Sequence, residues 1–103
     1  MSGQWFVYIL TNYTNTVLYT GITNDLARRV EEHKSGFFPN SFCKRYRLYK
    51  LIWCQGFYSP QEAIAIEKRI KGWGREKKIA LIKEMNPGFQ DLTTLRYMPR
   101  CSR

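Results

Sequence analysis

What this chain has little of narrows its chemistry first. It holds one histidine, His33, and three cysteines without Cys-x-x-Cys spacing. No apolar run approaches the roughly 20 residues that a bilayer span needs. With a single histidine, any Ser-His-Asp or Cys-His system has to be built on His33. Because Cys43, Cys54 and Cys101 are odd in number and scattered, neither a disulfide framework nor a zinc ribbon is indicated, and reduced thiols are expected. The opening residues MSGQWFVYIL lack the basic segment, long apolar stretch and small-residue cleavage site of a secretory signal. A soluble, cytoplasmic protein with no membrane partner is the expectation. The 103 residues, 44% hydrophobic and 16% aromatic, can bury one small core, so collagen-like, disordered and multidomain classes drop out.

Acidic residues are also scarce, 8 against 17 Lys and Arg, for a formal net charge of +9. The imbalance is local. Residues 1 to 41 hold three bases (Arg28, Arg29, Lys34) and three acids (Asp25, Glu31, Glu32), whereas from Lys44 onward there are fourteen bases and five acids. The candidate polyanion contacts are Lys44, Arg45, Arg47, Lys68, Lys71, Arg75, Lys77 and Lys78, because neutralising phosphates releases condensed counterions and favours nucleic-acid binding. Tyr46 and Tyr49 interleave with these charges and offer faces for base stacking. A solvated basic surface is the alternative reading of the same run.

Residues 5 to 11 and 17 to 23 are rich in β-branched and aromatic residues around a turn-forming Asn12 to Asn15 stretch, which predicts a hairpin. Asn24 is positioned to cap a helix from about Asp25 to Lys34, with Leu26, Val30 and His33 on one side. FFPNSFC reads as a loop, and Leu48 to Tyr58 as a third strand. Ser59, Pro60 and Glu62 form a helix start signal, and that helix should run to about Trp73. Arg75 to Met85 reads as another helix, ended by Asn86-Pro87-Gly88. The expected class is α+β in the order ββαβαα, one domain over residues 1–92 with a short tail over 93–103.

Three placements are not dictated by packing alone. At about 100° per residue, Glu67 falls inside the apolar arc of Ala63, Ile66, Ile70 and Trp73, where a carboxylate needs a compensating partner. A divalent metal and a salt bridge to a nearby Lys or Arg both satisfy that need. Arg29 sits beside the Leu26 and Val30 stripe, so of the Arg28–Arg29 pair it is the better candidate for a fixed phosphate contact, although an arginine covering apolar neighbours has the same position. Tyr8 and Tyr19 lie mid-strand, where two phenols can share one face or simply fill the core, and Gly21 suits a bulge or a close backbone approach. His33 at a helix end also fits a capping role.

Val7-Tyr8-Ile9, then Leu18-Tyr19-Thr20-Gly21, then Arg29 and a carboxylate on the next long helix resemble the GIY-YIG nuclease superfamily over residues 4–92. The stretches YTGITNDLARRVEEHKSG and EAIAIEKRIKGWGREKKIALIKEMNP are similar to its small stand-alone members and to the nuclease module of excinuclease. The resemblance implies a three-stranded antiparallel sheet flanked by helices and a Mg²⁺- or Mn²⁺-dependent DNA endonuclease with little sequence preference, serving repair, recombination or DNA turnover. It assigns catalytic roles to Tyr8, Tyr19, Arg29, His33 and Glu67, with Glu67 as the metal ligand, and sets Asn86 beside a late active-site asparagine. Three positions depart from the pattern. The first motif lacks its leading glycine, Thr20 replaces isoleucine, and Ile22 stands where some relatives carry a lysine. A nucleic-acid-binding module without turnover is therefore the alternative, and an adaptor docking through Phe37, Phe38 and Phe42 is a further one.

Overall fold

The computed structural model describes residues 4–35 and 41–94. Strand β1 (Trp5–Thr11) and strand β2 (Leu18–Thr23) form the expected hairpin. Its turn is held by Asn12, whose Oδ1 accepts from the amides of Thr16 and Val17 at 2.8 and 3.0 Å, and Asn15 takes a positive φ of 60° there. Helix α1 (Leu26–Lys34) follows, then a short helix α2 (Ser41–Tyr46), strand β3 (Lys50–Phe57), and helices α3 (Pro60–Lys71) and α4 (Arg75–Met85), with a final 3₁₀ turn at Leu92–Thr94. All strands are antiparallel in the order β2-β1-β3. No helix among the described residues is long and apolar enough to cross a membrane.

Two local expectations are corrected. The cap of α1 is Asp25 rather than Asn24: Asp25 Oδ1 accepts from Arg28 N at 3.1 Å, and Thr23 Oγ1 accepts from the Asp25 amide. The segment read as a loop contains α2, whose ring pair Phe42 and Tyr46 stands one turn apart with centroids at 4.9 Å. Phe37 and Phe38 lie outside the described residues. At α3 the start signal works as expected, with Ser59 Oγ accepting from Glu62 N and Pro60 in the first turn.

Alternation along the strands divides the core into two layers. On one face Tyr8, Leu10, Leu51 and Cys54 pack with Leu26 and Val30 of α1, Cys43 of α2, Leu48 and Leu92. On the other, Val7, Ile9, Ile52 and Trp53 meet Ala63 and Ile70 of α3 and Ile82 of α4. Pairing shifts between Ile9 and Leu10, which face Trp53 and Leu51, so Ile52 is the extra residue of a bulge and joins Trp53 on the α3–α4 side. Leu92 and Asp91 tie the end of the described chain to the sheet: Asp91 is salt-bridged to Lys34 and accepts from the Leu51 amide. The expectation of three reduced thiols fails at Cys54, which is disulfide-bonded; Cys43 is a buried thiol.

Candidate active site

β1 and β2 bring Tyr8 and Tyr19 together because the sheet period puts residues two apart on one face. Tyr8 pairs across the hairpin with Gly21, and Tyr19 with Leu10. The Tyr8 ring lies across Gly21 so closely that a Cβ there would come within 2.6 Å of its Cζ and Oη and within 3.0 Å of Tyr19 Cε2. Gly21 therefore marks a close approach. Burial pushes the Tyr8 phenol far above the ordinary tyrosine pKa, and nearby Tyr19 adds to the rise. Arg29 acts on the same phenol in the opposite direction, which brings that guanidinium into the group. Tyr8 is thus a neutral hydroxyl at any physiological pH.

Helix α1 aims Arg29 as its spacing predicted. Arg29 is 28% exposed against 69% for Arg28. One carboxylate holds both: Glu32 accepts from Arg29 Nη1 at 2.8 Å and from Arg28 Nε at 3.2 Å. Glu32 is not among the residues the sequence singles out, although its i+3 and i+4 spacings are visible there.

His33 is buried, and its Nδ1 donates to the Leu48 carbonyl at 2.8 Å, linking the end of α1 to the approach to β3. Burial lowers its pKa, so the ring is neutral.

Helix α3 packs on β1 and β2 and carries Glu67 on its inner side, buried as the wheel requires. The Glu67 carboxylate has 11% side-chain exposure, and its Oε2 meets Lys71 Nζ at 2.6 Å. Lys71 is half exposed. The hydrogen bond to Glu67 raises its pKa against burial, and Tyr19 adds to the rise, so the ammonium lies within electrostatic reach of both the carboxylate and Tyr19. Of the two partners that the sequence allows Glu67, a metal or a salt bridge, the salt bridge is present.

The late asparagine is placed elsewhere. Asn86 is buried at the end of α4, donating to the carbonyls of Ile52 and Gln90 and accepting from the Gln90 amide. Its amide group is engaged by backbone. An apolar cleft of about 160 Å³ formed by Trp53, Ile70, Trp73 and Leu81 shares no residue with the tyrosine group.

The basic candidates divide into two sets. Lys44, Arg45, Arg47, Lys68 and Lys77 are exposed and Lys78 is half-buried. Arg45 lies 5.6 Å from the centroid of the Tyr46 ring and Lys77 4.6 Å from that of Trp73. Arg75, by contrast, donates to the carbonyls of Asn15 and Thr16 at 2.9 and 3.0 Å, pinning α4 to the hairpin turn. Tyr49 is covered by the Lys34 ammonium at 5.6 Å, while Phe42 leads from Tyr19, at 6.0 Å between centroids, to Tyr46.

Tyr8, Tyr19 and Arg29 are thus grouped on the α1 side of the sheet, and Glu67 of α3 is linked to them through Lys71, which it binds and which acts on Tyr19; a family model described as the GIY-YIG catalytic domain matches residues 4–80. The chain belongs to the GIY-YIG family. It is 35% identical over 85 residues to a UPF0213 protein of Desulfotalea psychrophila, covering 82% of this chain and 76% of that relative. A UPF0213 protein of Staphylococcus aureus is 37% identical over 79 residues, 77% of this chain and 94% of the relative. The solution NMR structure of a UPF0213 protein from Bacillus halodurans superposes with a TM-score of 0.56 at 30% identity, covering 90% of this chain and 97% of that one. GIY-YIG membership points to a nuclease domain, a phosphodiester hydrolase acting on nucleic acid.

Proposed function

We propose that the chain is a divalent-metal-dependent DNA endonuclease whose centre is Tyr8, Tyr19, Arg29 and Glu67. The observation that carries this reading is the close approach over Gly21, which holds the two phenols together, with Arg29 acting on Tyr8 and the Glu67-paired Lys71 acting on Tyr19. No group of three or more His, Cys, Asp or Glu able to hold a metal occurs among the described residues. A lone inward carboxylate suits Mg²⁺, which keeps several waters and uses one or two carboxylates plus substrate phosphate. Glu67 would hold it, and the ion would supply charge stabilisation at the scissile phosphate.

The remaining steps belong to the side chains. Arg29, kept in place by Glu32, binds a non-bridging oxygen as charge develops on the phosphorane. Tyr19 positions the attacking water or, as the phenolate, takes its proton. Tyr8, held neutral, donates a hydrogen bond that fixes this arrangement. His33, buried and bonded to Leu48, sets the position of α1 rather than moving protons. Lys68, Lys77 and the Lys44–Arg47 run hold flanking backbone, giving affinity with little sequence preference. Phe42 and Tyr46 offer stacking faces beside Tyr19.

The Lys71–Glu67 bridge favours a second reading, a nucleic-acid-binding module without turnover. Plasmid nicking and DNA retention with Mg²⁺ separate the two. The endonuclease reading expects nicking by the wild type and its loss by about 100-fold or more in Glu67→Gln; binding by both proteins with nicking by neither selects the module. A panel of branched, nicked, single-stranded and duplex substrates then sorts repair, recombination and turnover.

A further inference from the structure

Glu67 is a buried carboxylate, and such a group is held inside only when a cation or hydrogen bonds compensate it. The compensation in this structure is Lys71, one helical turn on, with its Nζ 2.6 Å from Oε2. The other cations near the sheet have different partners: Arg29 goes to Glu32, Lys34 to Asp91, Lys50 to Asn15 Oδ1 and Arg75 to the hairpin carbonyls. Lys71 also differs from its partner in exposure. Its side chain is 51% exposed against 11% for Glu67, and it leaves the last residue of α3, just before Gly72. The carboxylate is thus fixed in the wall while the ammonium sits on a four-carbon stem open to solvent.

We infer that Lys71 is a placeholder cation that occupies the Glu67 site and must swing away before a divalent ion can enter it. The inference rests on the metal-dependent reading above and adds a regulation of that site. Entry of the ion is an exchange of one positive charge for another, so the buried carboxylate never stands uncompensated. The exchange costs the ion the Lys71–Glu67 interaction, which keeps metal affinity low in the free protein. In its bridged position the ammonium is within Coulombic reach of Tyr19, and once displaced it can pair with a phosphate of bound DNA. Substrate therefore offers Lys71 a second anion and lowers the cost of the exchange, which links metal and substrate binding with positive sign. Lys71 is in this sense a positioning residue acting through Glu67.

The test is an NMR titration of the side-chain Cδ at position 67, carboxyl or carboxamide, with MgCl₂ alone, at constant ionic strength, in the wild type, Lys71→Met, Lys71→Arg and Glu67→Gln, with amide spectra verifying that each variant is folded. The expected result is a dissociation constant lowered by about twofold to fivefold in Lys71→Met, the range an ion pair of this kind supports, and return toward wild-type weakness in Lys71→Arg. Glu67→Gln supplies the baseline without the carboxylate. Saturable Glu67 shifts with equal constants in wild type and Lys71→Met would overturn the placeholder role and leave the metal site standing. Absence of any saturable Glu67 shift in both would remove the metal site and the placeholder with it.

Discussion

The ring of Tyr8 rests on Gly21 across the β1–β2 hairpin, at a distance that leaves no room for a methyl group: a Cβ at position 21 would stand 2.6 Å from both Cζ and Oη. Tyr8 is itself buried in the layer formed with Leu26, Val30 and Leu51, so its ring has little freedom to retreat. The glycine of the second motif is therefore explained by the tyrosine of the first. Both motifs are needed to build one contact, which is why they occur on paired strands.

Gly21→Ala is accordingly expected to lose about 1 to 3 kcal/mol of stability through overpacking and to lose nicking activity beyond what unfolding explains. Urea unfolding and plasmid nicking, both measured where the variant is fully folded, give the two numbers. A variant with wild-type stability and activity would show that the contact has no such role.

A second expectation concerns acid. The folded state lowers the pKa of His33, chiefly by burial, below its ordinary value of 6.5. The unfolded chain therefore takes up a proton first as pH falls. The stabilisation is complete above 6.5 and is lost as pH drops through the folded value. Asp91 has a separate window: burial raises its pKa, but the hydrogen bonds from Lys34 and Thr93 outweigh this and hold it below 3.8, so its contribution is lost only in stronger acid. Urea midpoints between pH 7.5 and 5 should fall for the wild type and stay flatter for His33→Asn, whose amide can still donate to Leu48. Parallel slopes in the two proteins would contradict this assignment.

Thr20 supplies a third. It stands opposite Ile9, is buried, and its hydroxyl has no hydrogen-bond partner among the described residues. A buried hydroxyl without a partner costs roughly 1 to 3 kcal/mol. Thr20→Val keeps the β-branched shape and removes that group, so a gain of about 1 kcal/mol is expected, seen as a rise of roughly 4 to 8 °C in Tm. A fall in Tm would mean that water or another group satisfies the hydroxyl.

Legibility in the sequence followed the range of the interactions. The hairpin, the α3 start at Ser59-Pro60, the inward Glu67 and the preference for Arg29 over Arg28 all come from periodicity or contacts within one turn, and all were readable. Helix α2 was not, because six residues give too little periodicity to set against a loop. The i+4 spacing of Glu67 and Lys71 is a salt-bridge signal in its own right, yet nothing in it says which alternative occupies the carboxylate. The bonds of His33 to Leu48, Asn86 to Ile52 and Arg75 to Asn15 and Thr16 join residues 15 to 60 positions apart, and only the folded chain reveals them.

Arg75 turns that distinction into a measurement. From composition it belongs with Lys68 in one basic stretch and both side chains are exposed, but the Arg75 guanidinium is engaged by two hairpin carbonyls. Phosphate contacts are recognised by the salt dependence of binding, each contributing about one unit to the slope of log K against log salt. Lys68→Ala should weaken DNA binding and reduce that slope by about 1 while leaving stability nearly unchanged. Arg75→Ala should do the reverse, costing about 0.5 to 1 kcal/mol of stability, as exposed hydrogen bonds to a charged group do, with a slope close to wild type. Fluorescence anisotropy of labelled DNA from 50 to 200 mM KCl, paired with urea unfolding of each variant, reads both quantities. A reduced slope in Arg75→Ala would show that this arginine leaves the hairpin to bind phosphate, and the α4 clamp would then be a state that substrate opens.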